Sequence, residues 1–192
     1  MGARTDTRQR MVTSAGLLIR ERGVAGTSIA GVLEHSGSPR GSVGFHFPGG
    51  RTELVSDALR WAGELVSSHL RQGLDQGLAA IDLYRGICEH YKLQLAETDY
   101  MAGCPIGAAA QESYDDAALS PVIAEIVDEW TSLLADALTR AGHEPGEAAD
   151  IALSCIASME GAITMARVTR SVKPIDLALH AMTPMLVTGD TD

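Results

Sequence analysis

The sequence predicts an all-α chain, and three observations carry that reading. Apolar residues recur every three or four positions in one segment after another, the spacing of a single helical face. No stretch shows the alternation of a half-buried strand. Glycine and proline punctuate the periodic segments at "GVAG", "FPGG", "GHEPG" and "SVKP". With 192 residues, 45% of them apolar and 21% charged, the chain is long enough for one good core or two small ones. Aromatics are only 4%, so the interior is built mainly of Ala, Leu, Ile, Val and Met.

Taken in order, the first helix spans about Thr5 to Arg22, with Met11, Val12, Ala15, Leu18 and Ile19 on one stripe and Gly23 at its end. Thr27 or Ser28 caps a short second helix, about Ser28 to Ser36, because a hydroxyl accepts from an unpaired N–H there. Gly37 sits where the chain bends back. A third helix follows from about Pro39 to Phe47, with Arg40, Ser42 and His46 on one side and Val43 and Phe47 on the other. Pro48 stops it, since proline has no N–H to donate. A long helix runs from Arg51 to about Gly73 or Gly77, and another from about Ala79 to Glu97. "DYMAGCPIGAAA" leads into a shorter helix, about Ile106 to Asp116. Ser120 caps the next, which reaches about Ala141. The last two span about Pro145 to Thr169 and Pro174 to Val187, and the tail 188–192 is expected to fray.

The formal net charge of −10 is unevenly spread. Residues 1–51 hold seven basic and three acidic side chains, a net of +4; the remainder nets −14. A basic head on an acidic body suits an anionic polymer at one end only. Three cysteines, Cys88, Cys104 and Cys155, without CxxC spacing make a disulfide framework or a zinc site unexpected and fit a reducing cytoplasm. No unbroken apolar run approaches the ~20 residues of a membrane span, and the N-terminal stretch lacks the apolar centre of a signal peptide. No membrane partner, metal or cofactor is expected.

Two short helices joined around a glycine, after a first helix, match the geometry of a three-helix DNA-binding unit whose last helix enters the major groove. The runs "TSIAGVLEHSG", "SPRGSVGFHF" and "PGGRTEL" resemble TetR-type transcriptional regulators over about Thr5 to Leu59. The double glycine and "AGCPIG" look most like the subgroup of lincomycin-efflux repressors. The resemblance implies residues 1–51 as a helix-turn-helix DNA-binding domain and residues 52–192 as a helical ligand-binding and dimerisation domain. It puts Thr27 on a phosphate, Arg40 and Ser42 at the start of the recognition helix, His46 near its end, and Arg51 on a phosphate at the start of the connecting helix. Ser38, Gly41 and Gly44 complete the expected DNA-contacting set. Leu33 and Gly44 depart from the family pattern, which has alanine and tyrosine there.

For the body the resemblance implies a homodimer through the last two helices. Ile151, Ser154, Ser158, Gly161 and Ala162 on one, with Leu177, Ala181 and Met185 on the other, are the expected contacts. It also implies a pocket for a small hydrophobic effector, lined by Tyr84, Tyr91, Cys104, Tyr114, Trp130 and Met159. The function expected is a ligand-responsive regulator, a repressor, on a double-stranded, palindromic DNA operator. The alternative is a helical enzyme or adaptor without DNA-binding activity. Against the enzyme, there is no repeated Glu-x-x-His pair, nucleophile elbow or phosphate loop.

Overall fold

A computed structural model of the chain describes residues 2–187, with side chains from Asp6 onward. The frayed tail expected at 188–192 lies outside the described residues. Among those described there are nine helices and no strand: α1 (Gly2–Arg22), α2 (Ile29–Ser36), α3 (Ser42–His46), α4 (Gly50–Asp75), α5 (Ala80–Glu97), α6 (Pro105–Glu112), α7 (Leu119–Arg140), α8 (Pro145–Thr169) and α9 (Lys173–Leu186).

Most helix limits fall within a few residues of the expected ones, and two differences have clear causes. The third helix is five residues long, because residues 39–42 form a turn closed by the Ser42 N–H on the Pro39 carbonyl at 2.9 Å. The start of α7 is not capped by Ser120, which lies inside the helix. Asp116 does this work: its carboxylate accepts from the N–H groups of Ala118 (2.8 Å) and Leu119 (3.0 Å).

The chain forms two compact units. The first comprises Met1–Glu64 and Cys104–Ile126; the second comprises Leu65–Gly103 and Val127–Asp192. A single break after position 51 does not describe them. Helix α4 runs unbroken through 51 and 64, and the chain returns to the first unit with α6, which packs on α1.

In the first unit the α1 stripe of Met11, Val12, Ala15, Leu18 and Ile19 is buried, as are Val32, Leu54, Ala58 and Leu59. In the second, α5, α8 and α9 pack on one another around fully buried Leu83, Tyr84, Cys88 and Cys155. Helix α8 is long and apolar enough to cross a membrane by length and composition alone. Its nine buried side chains and its packing on α9 and α5 make it a core helix.

Candidate nucleic-acid interface

Two short helices and the turn between them form the site. Ser28 opens α2, its hydroxyl accepting from the Gly31 N–H at 3.1 Å, one of the donors a helix start leaves unpaired. Gly37 closes α2 in the left-handed region, with φ of 62°. Its N–H donates to the Glu34 carbonyl (3.3 Å), and the Ser38 N–H donates to the Leu33 carbonyl (3.0 Å). This paired closure needs a residue that tolerates positive φ, and it redirects the chain through Pro39.

Helix α3 hangs on two buried side chains, Val43 and Phe47, the latter fully enclosed. Truncating a ring so placed costs about 3–5 kcal/mol. The Arg8 guanidinium lies 4.8 Å above the Phe47 ring and pairs with Asp57. Side chains from α1 and α4 thus meet at the residue that holds α3 in place. Opposite these anchors Gly41, Gly44 and Phe45 are exposed, with Ser42 and His46 half-buried on the flanks. The Phe45 and His46 rings meet edge to face, 4.9 Å between centroids.

The sequence-expected DNA contacts divide into three groups. Arg40 is exposed in the turn, with no ion pair or hydrogen bond among the described residues. It borders a surface groove of about 690 Å³ that Ile29, Leu33, Glu34 and Ser38 also line. Gly41, Ser42, Gly44 and His46 sit on or beside the outward face. Thr27, Ser38 and Arg51 are placed differently from the expectation. Thr27 is buried and donates its hydroxyl to the Gly23 carbonyl at 2.8 Å, so Ser28 holds the exposed position at the α2 start. The Ser38 hydroxyl is buried without a hydrogen-bond partner. Arg51 turns inward: its Nε donates to the Thr27 carbonyl at 3.1 Å and its Nη2 to the Val24 carbonyl.

This bears on the charge of the head. Arg8 is paired with Asp57, Arg10 with Asp6, and Arg51 with backbone carbonyls. Arg22 and Arg40 remain exposed. Phe45 was not among the residues expected from the sequence, and of the two hydroxyls at 27 and 28 it is Ser28 that is exposed. Phe45 was legible from its offset of two residues from each of Val43 and Phe47.

In the second unit, Tyr91, Trp130 and Met159 line a narrow cavity of about 10 Å³, with Val66, Ile87, Ile156 and Glu160. The other three expected liners are elsewhere. Tyr84 is fully buried beside this region, and burial pushes its phenol up, so it stays neutral. Tyr114 is 75% exposed, and Cys104 precedes α6 in the first unit.

On α8 the exposed residues Leu153, Ala157, Gly161 and Met165 repeat every four positions, continued by Val168. On α9, Leu177, Ala181 and Met185 are exposed. Ser154 borders this face and Ser158 is half-buried. Ile151 and Ala162, expected on the face, are 8% and 7% exposed and point into the chain's own core. Ala162 follows Gly161 of the exposed row by one residue, and Ile151 precedes Leu153 by two.

The chain is similar to known proteins along most of its length. Residues 80–181 match the family model described as transcriptional regulator LmrA/YxaF-like, C-terminal domain. Over 186 residues, 94% of each chain, the sequence is 41% identical to a Mycobacterium tuberculosis (strain H37Rv) protein named uncharacterized HTH-type transcriptional regulator Rv0196. It is 24% identical over 171 residues to HTH-type transcriptional regulator LmrA of Bacillus subtilis (strain 168), covering 88% of this chain and 91% of LmrA. A solved TetR transcriptional regulator from Chloroflexus aurantiacus J-10-FL is similar at a TM-score of 0.75 and 29% identity, covering 96% of both chains.

Proposed function

This chain belongs to the TetR family of transcriptional regulators, in its LmrA/YxaF-like branch, and we propose that it is a ligand-responsive repressor that binds a palindromic operator as a homodimer. The observation that carries the reading is the outward surface of α2, the 37–41 turn and α3. It is anchored from beneath by Val43 and Phe47 and carries an unpaired Arg40. A recognition helix must be fixed to its scaffold and exposed on one side to enter a major groove.

The dimer reading rests on the α8 and α9 faces. Exposed Leu153, Met165, Val168, Leu177 and Met185 leave apolar area in water, and Ala157 and Gly161 let a second helix approach closely. Two copies joined there would present two heads to two half-sites, separated by about one helical turn of DNA or a multiple.

The effector reading rests on the cavity of Tyr91, Trp130 and Met159. It is far smaller than the ~300 Å³ at which small-molecule sites begin, so an effector must turn side chains aside to enter. Its lining is apolar apart from Glu160, which favours a hydrophobic molecule, neutral or cationic. Val66 of α4 also lines it, and α4 is one continuous helix from Gly50 to Asp75. An effector that binds one separation of the two heads better than another shifts the DNA affinity by that difference.

Gel-shift titration of the full chain against duplex DNA from its own promoter region, at several salt concentrations, tests the core of the proposal. Salt-dependent binding at submicromolar protein is expected, and its absence removes the DNA reading. Light scattering on Gly161→Arg and Leu177→Asp tests the interface. Both variants should be monomers, and dimers in both would refute this face.

A further inference from the structure

We infer that Phe45 is a specificity-determining residue that reads the C5-methyl group of a thymine in the operator. The inference rests on the DNA-binding reading and deepens it. Helix α3 is held by Val43 and Phe47. At 3.6 residues per turn, a residue two positions after the first and two before the second lies about 180° from their mean direction. That residue is Phe45, and it is 57% exposed. Whatever surface α3 enters, Phe45 therefore leads, ahead of Ser42 and His46, which are half-buried to either side.

The neighbours reinforce this placement. Gly41 before the helix and Gly44 on its flank are both exposed, and a Cβ at either would have nothing within 4 Å. No side chain there holds the ring away from a partner. The edge-to-face contact with His46 fixes the ring from one side, 85° between planes. A phenyl ring carries neither a hydrogen-bond donor nor a conventional acceptor, so it pairs with neither the purine acceptors nor the amino groups of adenine and cytosine on the groove floor. Covering such groups without pairing them is unfavourable. The thymine methyl is the apolar group the major groove offers, and contact with it distinguishes thymine from the other bases.

The probe is a pool of random-sequence duplexes from which the full chain selects its own preferred site. Each thymine of the selected site is then replaced singly by deoxyuridine, which removes the methyl and keeps the pairing and the O4 acceptor. At one thymine per half-site the unaltered chain should bind about fourfold more weakly, the worth of one buried methyl. Phe45→Ala should bind the thymine and deoxyuridine duplexes equally, and Phe45→Leu should keep most of the difference. Two results overturn the inference while leaving DNA binding intact: no deoxyuridine penalty at any position in the unaltered chain, or an undiminished penalty in Phe45→Ala. A pool that enriches no sequence, together with no gel-shift of any duplex, overturns the DNA reading itself and this inference with it. The arm on the unaltered chain needs no variant to fold.

Discussion

Glu112, at the end of α6, accepts a hydrogen bond from the backbone N–H of Ala25 at 2.6 Å. Its carboxylate reaches so far over the α1–α2 loop that a Cβ on Gly23 would come within 1.8 Å of Oε1. Gly23 itself has a φ of +74°, so a side chain there would be strained and would also displace the Glu112 carboxylate. From α4, Arg51 holds the carbonyls of Val24 and Thr27. The loop that leads into α2 is gripped by an anion on an N–H and a cation on its carbonyls.

Removing the anion should loosen that grip. Glu112→Ala is expected to cost about 1 kcal/mol, a fall in Tm of roughly 2–4 °C for a chain of this size. Amide exchange at Ala25 and its neighbours should accelerate while α1 stays protected. Unchanged exchange in the loop would show that the contact carries no stability.

Arg51 and Arg40 should separate into a structural and a DNA-directed cation. Arg51→Ala is expected to lower the Tm as well as weaken DNA binding. Arg51→Lys should restore little, because an ammonium does not reproduce a guanidinium fork on two carbonyls. Arg40→Ala should leave the Tm in place and reduce the salt slope of DNA binding by about one unit if it meets a phosphate. A larger loss on the selected site than on random DNA would assign it to a base. Equal melting curves for Arg51→Ala and the unaltered chain would count against the structural role.

Gly44 lies inside α3, and a Cβ built on it would meet nothing within 4 Å. Alanine there should be accommodated and should favour the helix by about 1 kcal/mol. Slower exchange from Ser42 to His46 and a modest gain in DNA affinity are expected. A better-ordered helix that binds DNA more weakly would mean that the glycine serves close backbone approach. Exchange in α3 already as slow as in α1 would leave no disorder for alanine to relieve.

The buried thiols make a prediction about pH. Burial pushes Cys88 and Cys155 up from the ordinary 9.0 to about 12, with Glu89 adding to the effect on Cys88. At neutral pH both stay protonated, so thiol reagents should label the native chain slowly and the denatured chain fast. The sign for stability follows from linkage. The unfolded chain loses these protons near pH 9 while the folded chain keeps them, so stability is full below that value and falls as pH rises towards 12. Substituting both by Ala should flatten that part of the alkaline curve. An unchanged curve would contradict the assignment.

How much of this was legible in the sequence depends on what decides each feature. Helix limits follow from local spacing and turn chemistry, and α8 runs from Pro145 to Thr169 as its periodicity implies. The shorter α3 was less legible, because Gly41 and Gly44 weaken a helix by an amount that only the neighbouring packing resolves. Arg51 and Thr27 have inward partners that were not legible, for a different reason. Their composition suits a phosphate contact, but their partners are loop carbonyls whose positions depend on tertiary folding. The membership of α6 in the first unit rests on its packing against α1, with Glu112 and Ala25 meeting across 87 residues of sequence. Periodicity carries no trace of such a pairing.

That last feature fixes an order of events during synthesis. When residue 64 has left the ribosome, the whole helix-turn-helix has been made, yet Glu112 and the 104–126 segment of its unit have not. Ile126, whose methyl group would lie 2.7 Å from a Cβ on Gly63, comes later still. Most of the intervening segment, Leu65–Gly103, belongs to the other unit and must emerge first. The nascent head therefore waits for two-thirds of the chain before its last contacts close. A regulator so ordered cannot present a finished DNA-binding head before much of its body exists.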